Sequence, residues 1–220
     1  MRSILDIVEE PGPDIDAGNA AVHIWLSPIS TFRHLLKTGH GPKINLLFFG
    51  AAITATLKQF AGFLLNFEDF SAETFMLIGS GTLLVWMGYH AYAWALGWCG
   101  RWFNGKAGTN GLRVILAWSL IPSIASIALI VPKLFFFGPS LFSSEKEMLS
   151  QDYSWPYAVL GFFDLLLLAW TVVILIKGLM LVHDFGLGKA ILTSLLPLVF
   201  LSLLLSPLAF VIFDLFSNPL

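Results

Sequence analysis

The chain has 220 residues, 57% of them apolar and 12% charged, with a formal net charge of −2. The charged share is about half that of a soluble domain, and the apolar share leaves no soluble region large enough to house an ordinary active site. The charge balance gives no support to nucleic acid as a partner, and the single Cys99 excludes an internal disulfide and a cysteine metal cluster.

In chain order, residues 1–20 carry Asp6, Glu9, Glu10, Asp14 and Asp16 around Pro11-Gly12-Pro13. They read as a weakly ordered acidic cytoplasmic tail without the apolar core of a signal peptide. Residues 21–43 read as an amphipathic interfacial segment. Ser27 and Pro28 supply an N-cap and first-turn proline. Ile29, Phe32, Leu35 and Leu36 then share one face, opposite Arg33, His34 and Lys37, so this short helix is expected to lie in the headgroups of the inner membrane surface. Trp25 is expected at headgroup level.

Residues 44–215 are expected to form one membrane domain, with apolar spans at about 44–66, 74–98, 112–136, 157–181 and 190–213. About 20 apolar residues cross a hydrocarbon core of about 30 Å as a helix. Helix is the form that pairs every backbone group inside a single segment in lipid. The sequence therefore predicts an all-α polytopic membrane protein: five transmembrane helices preceded by the short interfacial helix. Span two carries Gly81, Gly88 and Ala95 at seven-residue spacing, suited to close packing. Trp94, Trp98 and Trp102 at its end suit an aromatic belt. Pro122, Pro197 and Pro207 are expected to kink spans three and five, and residues 138–156 form the longest outer connection.

Lys and Arg set the orientation. With the N-terminus cytoplasmic, the inner segments hold Arg2, Arg33, Lys37, Lys43, Arg101, Lys106, Arg113, Lys177 and Lys189, and the outer segments hold Lys133 and Lys146. This bias predicts a cytoplasmic N-terminus and an outer C-terminus. Arg33, Lys37, Arg101, Lys106 and Arg113 form a candidate patch for anionic lipid or a partner protein. The alternative is that they serve membrane insertion only. Cys99, near the same end, reads as a small packing residue, with palmitoylation as the alternative.

Gly100 to Ala107 matches seven positions of a Walker A loop, but Ala107 lacks the Mg²⁺-binding hydroxyl and a membrane helix precedes it, so nucleotide hydrolysis is rejected. Lys58, His90 and Asp164 are the ionisable residues within spans, and such residues mark candidate sites. Lys58 and Asp164 lie at matched depth, about 12 Å from the outer ends of spans one and four. They are a candidate pair. The alternatives are that Lys58 snorkels outward and that Asp164 is protonated or bonded to a hydroxyl. His90 lies between Trp86 and Trp94 on one helix face. No catalytic grouping or multi-His site appears, so neither an enzyme activity nor a metal or other cofactor is expected.

Three segments, IWLSPISTFRHLL (24–36), GRWFNGKAGTNGLRVILAWSLIPSI (100–124) and IKGLMLVHDFGLGKAILTSLLPLVFL (176–201), resemble the Yip domain family of Ypt/Rab-GTPase-interacting membrane proteins, in its short prokaryotic branch. The resemblance implies five spans, a cytoplasmic N-terminus and a bacterial inner-membrane location. The longer cytosolic region through which eukaryotic relatives are linked to Rab GTPases is not matched here. The resulting expectation is a non-enzymatic protein that organises membrane or partner proteins at the cytoplasmic face, with anionic lipids and a membrane or cytoplasmic protein as partners. The alternative is a small transporter, channel or lipid-handling protein using Lys58, His90 and Asp164.

Overall fold

The computed structural model describes residues 19–38, 41–64, 72–137 and 154–217, and all regular structure among them is helical. The tail at 1–18 and most of the 138–156 connection lie outside the described residues. In order, the helices are α1 (Ala20–Leu26), α2 (Pro28–Thr38), α3 (Gly41–Leu64), α4 (Ala72–Trp102), α5 (Thr109–Ser119), α6 (Ile121–Ala125), a tighter turn (Ser126–Leu129), α7 (Ile130–Phe137), α8 (Ser154–His183) and α9 (Leu187–Ser217). By length and composition, Thr109–Lys133 and Trp155–His183 are the two described stretches suited to crossing a membrane.

α5 is the centre of the bundle. It packs on α3, α4 and α8, and its residues Val114 to Ser119 are all buried. α8 lies at the periphery: half of the apolar window in Thr109–Lys133 is buried, but only 22% of that in Trp155–His183. An all-round apolar helix so little covered by protein suits contact with lipid. α9 packs on α4 and α8, and the Tyr92 hydroxyl on α4 donates to the Ser194 carbonyl on α9 at 2.7 Å.

The third predicted span is not one helix. α5 ends at Ser119, and Pro122 sits in the first turn of α6. A proline ring cannot donate a helix bond and clashes with the carbonyl four residues back, so the helix restarts there. The Ser126–Leu129 turn follows, and the Ser126 hydroxyl donates back to the Ser123 carbonyl. α9, by contrast, runs without interruption through Pro197 and Pro207.

The apolar face of α2 corrects the expectation that it lies in the headgroups. The helix does begin at Pro28, but Phe32 and Leu35 are fully buried and only Ile29 stays exposed. α2 packs on α5 and α8. The physical reason is Gly178 on α8: a Cβ there would collide with Ile115 and come within 3.0 Å of Phe32 Cε2, so the missing side chain makes the seat for the Phe32 ring. The amphipathic stripe is satisfied by protein.

Candidate functional site

Two groups of side chains can carry chemistry, one in each half of the bundle. The first lies where α3, α7 and α8 converge. Lys58 Nζ on α3 donates to Asp164 Oδ1 on α8, and Lys133 Nζ on α7 donates to Asp164 Oδ2 at 2.5 Å. Lys58 also donates to Ser126 Oγ at 2.6 Å. Ser123 Oγ and Thr171 Oγ1 lie 2.9 Å apart, extending the polar strip towards α5. The broken third span is what places this strip: the Pro122 restart and the tight turn put Ser123 and Ser126 on the α3 and α8 side, with Lys133 beyond them. An ammonium has three donors and a carboxylate about four acceptor positions. Asp164 is thus engaged on both oxygens, while the pair of lysines retains spare donors. A cavity of about 500 Å³ is lined by Lys58 and Asp164, with Thr54, Tyr89, Ser123 and Ser126 among its other walls.

The sequence paired Lys58 with Asp164 alone. Lys133 was missed, being counted with the outer segments. His90 stands apart from the cavity lining. Its ring meets Trp86 edge-on at 4.6 Å and Phe48 at 4.9 Å. Trp94, one turn further along the same helix, stacks on Trp98 at 6.3 Å.

The second group is the loop end of the bundle. α4 and α8 finish in the same way. Gly105 N–H donates to the Gly100 carbonyl at 2.8 Å and Asn104 N–H to the Arg101 carbonyl at 3.0 Å, with Asn104 left-handed at φ 64°. On α8, Phe185 N–H donates to the Met180 carbonyl at 3.2 Å, with Asp184 left-handed at φ 57°. Both are helix-ending Schellman motifs that use a short polar residue where glycine is usual. The two ends lock together. His183 is buried, its Nδ1 accepts the Ala107 N–H at 3.4 Å, and its ring stacks on Phe185 at 4.8 Å. Phe103 meets Phe185 at 6.4 Å, and Lys106 pairs with Asp184 at 3.2 Å. A Cβ on Gly100 or on Gly105 would collide with the His183 ring. The glycine spacing that imitates a phosphate loop is therefore occupied by a histidine from the other loop.

The basic residues gather around this end. Lys37, Lys43, Arg101, Lys106, Lys177 and Lys189 are exposed, and Arg33 and Arg113 are half-buried. Arg113 donates to Asn45 Oδ1 at 3.2 Å. Asp184 is the acidic residue among them in the described part of this end. Cys99 is buried nearby, as a packing residue is. Trp94, Trp98 and Trp102 form an exposed ladder beside Phe200.

Comparison with known proteins agrees with this anatomy at the level of family. No curated protein and no solved structure matches the chain. The family model of the Yip1 domain matches residues 22–208, which take in both loops, the broken third helix and the Lys58–Asp164 contact. The chain belongs to the Yip1 domain family.

Proposed function

We propose that this protein is a non-enzymatic, five-span membrane protein of the short prokaryotic branch, and that it organises anionic lipid and partner proteins at a cytoplasmic face. α3, α4, the α5–α7 run, α8 and α9 are its five crossings. The shortest, α3, has 24 residues, or about 36 Å at about 1.5 Å per residue. The N-terminus is cytoplasmic, the C-terminus is outside, and the membrane is the bacterial inner membrane. The observation that carries the reading is the segregation of charge. Arg33, Lys37, Lys43, Arg101, Lys106, Arg113 and Lys189 surround one end of the bundle, with Asp184 as their acidic neighbour among the described residues. Basic residues near an anionic surface each gain about 1 kcal/mol, and the locked α4 and α8 ends hold them in a fixed frame.

The test neutralises Arg101, Lys106 and Arg113 together to Gln. Retained anionic lipid and co-purifying proteins are then measured across a salt series. A fall in both, with the wild-type signal fading as salt rises, supports the reading. Unchanged retention leaves these residues with an insertion role alone. Orientation is tested separately in a Cys99→Ala background. Cysteines at Ser143 and Ser217 should react with an impermeant thiol reagent on intact cells and one at Thr109 only after lysis, and the reverse pattern rejects the orientation.

A second reading, a small transporter, channel or lipid-handling protein using Lys58, His90 and Asp164, has one observation in its favour. The cavity of about 500 Å³ reaches both Lys58 and Asp164.

A further inference from the structure

Three charged groups share one carboxylate's worth of compensation. Lys58 and Lys133 both bond Asp164, and among the described residues no other ion pair reaches either lysine. With all three ionised, the trio carries one surplus positive charge. Its side chains are only 30%, 20% and 22% exposed in the order Lys58, Lys133, Asp164, so water screens that surplus little. A surplus charge among helices in a membrane is costly. A bound anion would remove the cost, and the site has the parts to hold one: spare ammonium donors and the adjoining cavity, which Lys58 lines.

The cavity opening indicates where the anion comes from. Leu165 and Leu168 of α8 line it, and they are 62% and 55% exposed. They lie on α8, of whose apolar window only 22% is buried. The mouth thus opens through an apolar, outward-facing helix surface, where an amphiphile can enter sideways with its tail along α8. Depth agrees. Lys58 is six residues from the end of α3 and Lys133 four from the end of α7, about 9 Å and 6 Å at about 1.5 Å per residue. A lipid phosphate resting just below the interface meets lysines reaching up to it.

We infer that Lys58 and the cavity it lines bind the phosphate of an anionic phospholipid, with Lys133 supplying the surplus charge across Asp164 and Asp164 limiting the site to a single negative charge. This deepens the lipid-handling form of the second reading and needs no transport.

The test uses the whole protein in nanodiscs containing equal parts phosphatidylglycerol and phosphatidylcholine. Lipid retained through stepwise delipidation is counted by native mass spectrometry. The wild type should keep phosphatidylglycerol over phosphatidylcholine by about fivefold, the worth of about 1 kcal/mol between one net headgroup charge and a lysine. Lys133→Met leaves the neutral Lys58–Asp164 pair and should lower the preference. Asp164→Asn raises the surplus charge and should strengthen it. Arg101, Lys106 and Arg113, neutralised together, should leave a preference that Lys133→Met then removes. A preference that survives Lys133→Met in the loop-neutralised protein, or that disappears when Arg101, Lys106 and Arg113 alone are neutralised, overturns the site. One arm needs no variant to fold: a phosphatidylglycerol analogue with a photoreactive group beside its headgroup should label wild-type peptides around Lys58, Lys133 or Asp164. Labelling confined to the 101–113 loop rejects the proposal. Millimolar inorganic phosphate should not displace the lipid. If it binds the trio in detergent and no lipid preference exists, the source is a free oxyanion and the lipid assignment fails. Lipid flipping between leaflets is measured in parallel. Binding without flipping removes a transporter while leaving this site in place.

Discussion

At the loop end, Lys106 and Asp184 meet at 3.2 Å with 36% and 60% of their side chains exposed. In the other half of the bundle, Lys133 and Asp164 meet at 2.5 Å with about a fifth of each exposed. The residue chemistry is the same and the energetics are not. An exposed pair gains little, because solvent and salt screen it. A pair held among helices gains more, and it leaves a stranded charge when one partner is lost. The basic end can thus change its charge at little cost to the fold, while the trio cannot.

The largest effect should follow from breaking the trio. Asp164→Asn strands two ammonium groups and should cost about 2–4 kcal/mol. Lys133→Met alone should cost less, since Lys58 and Asp164 remain paired. Replacing Lys58, Lys133 and Asp164 together by Met, Met and Asn should recover much of the loss. Thermal unfolding in detergent of the singles and the triple reads the coupling, and strictly additive losses would erase the contrast between the two regions.

Next comes the lock at the loop end. Gly105→Ala forces a methyl into the His183 ring, and overpacking of this kind costs about 1–3 kcal/mol. Faster hydrogen exchange at residues 103–108 and 183–186, with the trio's helices unchanged, is the expected pattern. Gly178→Ala should cost a similar amount, about 1–3 kcal/mol, because the fully buried Ile115 must shift to admit the methyl. Its signature is local: increased exchange across α2. Protection of α2 at wild-type level would mean that Gly178 does not seat Phe32. The smallest effect belongs to Lys106→Ala, at about 0.5 kcal/mol or less and vanishing in high salt. A larger, salt-resistant loss would place the loop-end pair in the same class as the trio.

The sequence made the helical architecture and the approximate helix positions legible because apolar length is a local property. It also suggested Lys58 with Asp164, since depth in a membrane can be counted along each span. Lys133 escaped because its position depends on how the third span is broken. Pro122, and Pro132 immediately before Lys133, were the available signals. The glycines at 100 and 105 were visible, but their partner, His183, lies more than 70 residues away, and no local pattern ties it to them. Gly178 carried no signal at all: its meaning lies in the ring of Phe32. The apolar stripe of α2 was legible as a stripe, but a stripe does not say whether lipid or protein covers it.

The contact between Lys58 and Asp164 spans 106 residues of chain. At a synthesis rate of about 5–20 residues per second, Lys58 waits about 5–20 s for its carboxylate to be made. Lys133 waits only for 31 more residues. On the five-span reading, α3 is during that interval a nascent membrane helix with an uncompensated ammonium, left to snorkel until α8 arrives. The trio therefore sets an order of assembly: α7 and α8 can meet as soon as α8 is made, and α3 completes its polar side only then. Truncation before Asp164 should leave α3 poorly retained in the membrane, and truncation just after α8 should not.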